Sequence, residues 1–187
     1  HLDAVLELRL TEQDRLQVQA RRVNTALQIS GPATLEPALR ELLADARRLK
    51  NQHIELAALR GLAQTRSRHP DEAEALLLEA LALARQLGSH ADEGLTLRDL
   101  GALYWHTGRL DDAEARLLEG LRIVEADGSR FVGALQCDLG SLYRQLGRLE
   151  DAQRCLLASI AQARTDHNRH DEGIRLGRLA NLMFQQY

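Results

Sequence analysis

Residues 101–113 read GALYWHTGRLDDA, and residues 140–152, 39 positions later, read GSLYRQLGRLEDA; eight of the thirteen positions are identical. A third copy aligns on Gly61, where PDEAEALLLEALALARQLG, from Pro70, matches LDDAEARLLEGLRIVEADG, from Leu110, with Ala73 under Ala113 and Ala152. A fourth, partial copy is DEGIRLGRLANLM, whose Asp171, Glu172 and Gly173 repeat Asp92, Glu93 and Gly94, and whose Ala180 stands at the Gly101 position. Self-similarity with a period of 39 to 40 residues marks a solenoid built from one supersecondary unit.

Within a unit the apolar residues keep helical spacing. Leu97, Leu100, Leu103 and Tyr104 make one stripe, and Ala113, Leu117, Leu121 and Val124 make the next. Between them Gly108 supplies a helix C-terminus, and Asp111 either caps the following helix or sits in its first turn. Each repeat is therefore expected to be a helical hairpin, which buries its apolar face only by stacking on neighbours.

These residues resemble the tetratricopeptide repeat, with Leu100, Gly101 and Tyr104 in the first helix and Ala113, Leu117 and Gly120 in the second. The next unit supplies Leu139, Gly140, Tyr143, Ala152, Leu156 and Ser159. Small residues at Gly101, Gly140, Ala113 and Ala152 let two helix backbones approach closely, so the shared motif reads as packing rather than as a shared active site. The copy at Gly61 departs from the pattern, with Gln64 at the Tyr position, and the family's terminal Pro is missing from every unit. A period longer than about 34 residues is similar to the extended repeats of kinesin light chains, Pins-type adaptors and bacterial regulators. The resemblance implies an all-α, right-handed superhelical solenoid of antiparallel hairpins over residues 34–187. Its units run from about 52 to 90, 91 to 130 and 131 to 170, with a partial unit at 171–187. Residues 1–33 read as a helical linker followed by a degenerate capping helix, and His1 together with the C-terminal LANLMFQQY fits a fragment of a longer bacterial protein.

Composition agrees with helices: 44% hydrophobic residues, mostly Leu and Ala, and only 3% aromatic. A net charge of −3 with interleaved signs leaves no basic stripe for nucleic acid. No apolar run reaches the ~18 residues that read as a membrane span. Two cysteines, Cys137 and Cys155, make no disulfide framework, and the cytoplasm is the expected compartment.

No Gly-rich phosphate loop, Gly-x-Ser-x-Gly elbow or HExxH is present, so neither an enzyme nor a cofactor is expected. His167 and His170 form a lone His-x-x-His without further ligands, which reads as a solvated turn rather than a metal site. The acidic pairs Asp111-Asp112 and Glu150-Asp151 open helices, where they suit the macrodipole.

What the resemblance implies about function is a concave groove lined by the first helices, which holds a protein or peptide partner. Transferring the family's groove positions gives Arg98, Asp99, Ala102, Trp105 and His106, then Cys137, Asp138, Ser141, Arg144 and Gln145. The last unit gives Gly177, Arg178, Asn181, Phe184 and Gln185, and the Gly61 unit gives Ala58, Leu59, Leu62, Thr65 and Arg66. Trp105 has no counterpart in the other copies, so it is either an exposed aromatic anchor or packed under a neighbouring helix. Where related adaptors carry an Asn that clamps a peptide backbone, this chain has Asp99 and Asp138, and then Arg178. An ionised Asp only accepts hydrogen bonds. The substitution points either to a ligand with basic groups or to internal pairing of Asp99 and Asp138 with Arg144 or Arg178. The alternative to a binding module is a structural, self-associating or sensor region of a signalling protein or transcription regulator. Self-association would run through the unfinished last repeat, on Leu179, Leu182 and Met183.

Overall fold

The computed structural model describes residues 11–29, 32–66 and 68–184, and among them every regular element is helical. The helices are α1 (Glu12–Ile29), α2 (Glu36–Arg48), α3 (Gln52–Thr65), α4 (Pro70–Leu87), α5 (His90–His106), α6 (Leu110–Ala126), α7 (Val132–Gln145), α8 (Leu149–Thr165) and α9 (Arg169–Phe184). A 3-10 turn, Pro32–Leu35, leads into α2. None of these helices is long and apolar enough to cross a membrane. The chain divides into two compact units, one ending at Leu87 and the other beginning at Gly88.

In the first unit, Leu16 and Val23 of α1 are buried against Leu39, Leu42 and Ala46 of α2 and Ala58 and Leu62 of α3. The charged run at residues 45–50 is engaged in ion pairs: Arg47 pairs with Glu55 at 2.9 Å and with Glu79, and Arg48 pairs with Glu12 at 2.7 Å. Such exposed pairs contribute at most about 1 kcal/mol each.

In the second unit, α5–α6 and α7–α8 are hairpins in the same register, and α9 packs on α8. The core is the predicted stripe, with Leu97, Leu100, Ala113 and Val124 fully buried and Leu117, Leu139 and Leu156 nearly so. Leu103 and Leu121 are only half-buried.

The repeated Gly-Arg-Leu is explained by the turn. At Gly108 (φ +79°) and Gly147 (φ +73°) the chain turns left-handed, which only glycine adopts without a steric penalty. The following N–H groups, of Arg109 and Arg148, bond back to the carbonyls of Tyr104 and Tyr143, closing a Schellman cap. The same backbone turn lays the Arg109 guanidinium 4.0 Å over the Tyr104 ring and that of Arg148 4.2 Å over Tyr143. Arg109 and Arg148 also donate to Asp112 and Asp151, which therefore sit in the first turn of the next helix. Lys50 and His167 take the same left-handed position at the ends of α2 and α8. For His167 this is a backbone role, and no group of three or more His, Cys, Asp or Glu able to hold a metal occurs among the described residues.

Arg148 further donates to Glu114 at 2.7 Å, linking the two hairpins beside Tyr143. Burial and this neighbouring carboxylate push the Tyr143 hydroxyl up to about 12. A folded value above the ordinary one near 10 means that stability held below about pH 10 is lost as pH rises through about 12. Tyr143→Phe is expected to lose less of its urea midpoint between about pH 9 and about pH 11.5 than the parent chain does. Equal losses in both would show that the phenol contributes nothing to the alkaline transition.

Among the described residues one core position is charged. Arg175 of α9 is 6% exposed and donates at 2.6 Å to the carbonyl of Ser159 in α8 and at 3.2 Å to Asp171. Ser159 in turn donates at 2.6 Å to the carbonyl of Gly133, so α7, α8 and α9 are joined by a buried polar chain.

The apolar face of α9 differs from the expectation. Leu182 is fully buried against the preceding helices, and Leu179 and Met183 are half-buried. The exposed apolar residues are Ile174, Leu176 and Phe184, because α9 rolls its Leu182 and Arg175 edge onto α8.

Candidate functional site

The second unit carries a cavity of about 410 Å³ on the face formed by its first helices. From α5 come Arg98, Ala102, Trp105 and His106; from α7, Asp138, Ser141 and Arg144; from α9, Arg178 and Asn181. Leu117 of α6 and Leu156 of α8 form its apolar floor. Residues three and four apart on a helix share a face, and the hairpin register repeats that face from one unit to the next.

Of the fifteen groove positions expected on this unit, nine line the cavity. Gln145 stands beside it, accepting a hydrogen bond from the Trp105 indole N–H. Asp99 is half-buried and does not belong to the lining. Gly177 and Phe184 are exposed outside the lining, and Gln185 lies outside the described residues. In the first unit the groove positions Ala58 and Leu59 are fully buried and Leu62 nearly so, and Ala58 and Leu62 share a core with Leu16 and Val23 of α1. Arg66 pairs there with Glu36 at 2.6 Å.

Asp138 is held internally. Arg98 Nε donates to one carboxylate oxygen at 2.5 Å, and Arg178 Nη1 reaches the other at 3.3 Å. Arg178 also donates to Ser141 Oγ at 2.8 Å, and Ser141 donates to the carbonyl of Cys137. Burial opposes the charge on Arg98, but the Asp138 carboxylate outweighs it and holds the guanidinium above its ordinary value. The pairing of Asp138 with Arg178 is one that the sequence offers, and its pairing with Arg98 was not expected. The spacing of 40 residues between Arg98 and Asp138 places the two on adjacent first helices.

Trp105 is half-buried, with its ring near-parallel to that of His106 (interplanar angle 6°, centroids 6.1 Å apart). Its one donor is satisfied by Gln145, which fixes the indole at the cavity rim and leaves its remaining exposed surface for apolar contact. Arg144, at the matching position one repeat on, is half-buried and has no ion-pair partner among the described residues. Cys137, also on α7, is a free buried thiol whose pKa burial pushes up; Cys155 on α8 is free and raised for the same reason.

A comparison with curated protein sequences finds no significant match. Among solved structures, the chain is similar to BtubC (BKLC) from P. vanneervenii, with a TM-score of 0.69 and 17% identity over 86% of this chain and 68% of that one. It is also similar to a signal transduction ATPase with numerous domains carrying a tetratricopeptide repeat sensor, from Pyrococcus horikoshii (TM-score 0.71, 17% identity, 91% and 27% coverage). A third is a Rap protein complexed with competence and sporulation factor (TM-score 0.71, 13% identity, 96% and 66% coverage). At these identities the likeness is one of fold. Models of the tetratricopeptide repeat match residues 66–126 and residues 134–166, together about half of the chain. With the repeated hairpins, the glycine turns and these matches in agreement, the chain belongs to the tetratricopeptide-repeat family.

Proposed function

We propose that this chain is a non-catalytic protein-interaction module whose groove on the second unit receives a segment of a polypeptide partner. One observation carries the reading: a cavity of about 410 Å³ joins an apolar floor to a positioned Trp105 and an unpaired Arg144. Tryptophan and arginine are enriched among the few residues that dominate binding energy at protein interfaces. The module belongs to a larger bacterial regulatory protein in this reading, and the free thiols of Cys137 and Cys155 support the cytoplasm as its compartment.

The test is a quantitative pull-down from source lysate with the native chain and a Trp105→Ala, Arg144→Ala double variant matched by circular dichroism. Proteins retained by the native chain and lost by at least about tenfold from the variant are the expected result. Identical capture by both would overturn the groove as the site.

A second reading, association through α9, is favoured by the exposure of Ile174 (48%), Leu176 (41%) and Phe184 (83%) on one helix. It also fits a sensor or scaffold role in a signalling protein. Sedimentation showing a strict monomer at high protein concentration would count against it.

A further inference from the structure

Resting on the second reading above, association through α9, we infer that the partner is a second copy of this chain. The two α9 helices pack antiparallel, with Phe184 of each copy seated on Gly173 of the other. What covers the same face elsewhere in the chain supports this. Gly94 of α5 stands where Gly173 stands in α9, and Gly101 and Gly140 stand where Ala180 stands. In both hairpins an antiparallel helix seats a large apolar side chain on these glycines. Val124 of α6 presses on Gly94, and the Cγ atoms of Leu117 and Leu156 lie 2.7 Å from where a Cβ would stand at Gly101 and Gly140. α9 repeats the seat on an exposed face: at Gly173 and Gly177 an added Cβ meets nothing within 4 Å.

The spacing selects the occupant. Gly173, Gly177, Ala180 and Phe184 follow one another at intervals of four, three and four residues, which keeps them on one helix face, opposite the buried Arg175 and Leu182. Those intervals read the same from either end, so the face is self-complementary about a two-fold axis. An antiparallel copy that sets Phe184 on the partner's Gly173 also brings Gly177 level with the partner's Ala180. Large side chains then enter the gaps over glycine at both ends, and small residues let the backbones close at the centre. The pairing covers Phe184, which is 83% exposed, and draws in Ile174 and Leu176 at the flanks. Charge permits it as well. The exposed residues of α9 from Gly173 to Phe184 are all uncharged, whereas the exposed faces of α6 and α8 carry Arg122 and Arg154. Two copies of the α9 face therefore meet without like-charge repulsion, and their opposed macrodipoles attract. One helix pair buries less than the roughly 1,600 Å² of a standard interface, so the dimer is weak and dissociates on dilution.

Sedimentation velocity over about a hundredfold range of concentration tests the pairing. It compares the parent chain with Phe184→Ala, Gly173→Leu and the variant carrying both. In the monomer Gly173→Leu adds its side chain to open space, so it blocks the seat and leaves the fold intact; circular dichroism of the dilute chains checks all three variants. The expected result is a monomer–dimer equilibrium in the parent chain, weakened at least about tenfold by either single substitution. The double variant regains association, because its leucine at position 173 fills the space that the partner's Phe184 leaves. A strict monomer at every concentration, or association indifferent to both single substitutions, would overturn the pairing and the α9 reading together. Association lost on Phe184→Ala, but either untouched by Gly173→Leu or not regained in the double variant, would overturn the antiparallel seat and keep α9 as the associating face. Assemblies larger than a dimer would overturn the closed two-fold pairing.

Discussion

Gly101→Leu will cost the fold about 3 kcal/mol and lower its melting temperature by roughly 6–12 °C. A Cβ at position 101 falls 2.7 Å from Cγ and 2.9 Å from Cδ2 of Leu117, and 3.3 Å from the Ala113 carbonyl oxygen. Leu117 is 1% exposed, so it has nowhere to swing, and the backbone of α6 must yield instead. Gly140→Leu meets the same geometry against Leu156 and Ala152 and is expected to behave alike. The control is Gly173→Leu, at the equivalent of Gly94 in α9, where an added Cβ meets nothing within 4 Å. There the helix gains about 1 kcal/mol of propensity and melting rises or holds. If differential scanning calorimetry shows Gly101→Leu and Gly140→Leu melting with the parent chain, close helix contact is not why those glycines repeat.

Leu117→Ala should cost about 3 kcal/mol, from the lost burial and from the cavity left in a close-packed hairpin. The informative measurement is its coupling to position 101. Alone, Gly101→Ala sets a propensity gain of about 1 kcal/mol against a contact too short for a real Cβ. With Leu117 truncated that contact is gone, and the new methyl enters the space left behind. Gly101→Ala should then stabilise the Leu117→Ala chain, with a coupling of about 1–2 kcal/mol in a double-mutant cycle followed by urea unfolding. Strict additivity would mean that the two residues do not share one packing site.

The hairpins were legible because the sequence repeats the residues that force them. Gly101 and Gly140 mark the helix contact, and Gly108 and Gly147 mark the turn. The register then placed Arg98, Asp138 and Arg178 of α5, α7 and α9 around one cavity. A register does not determine what else packs on a given helix face. Ala58 and Leu62 occupy groove positions in the Gly61 unit, yet they are core because Leu16 and Val23 of α1 pack with them. Nor does it fix charge partners, since a guanidinium reaches several positions from one Cα. Asp138 could have paired with any of several arginines, and it takes Arg98 and Arg178. Arg175 was invisible for a related reason: it stands where the other units have Thr96 and Leu135, and the carbonyl of Ser159 and the carboxylate of Asp171 make its burial tolerable.

The buried thiol of Cys137 gives α7 an intrinsic clock. Burial raises the pKa of Cys137, which disfavours its thiolate. Cys137 is 6% exposed on the helix that also carries Asp138, Ser141 and Arg144. Alkylation of Cys137 must therefore wait for α7 to open, and its rate counts those openings. If the proposed groove takes a partner on Arg144, that partner slows the count without touching the sulfur, and the slowing is read chemically on the unlabelled chain.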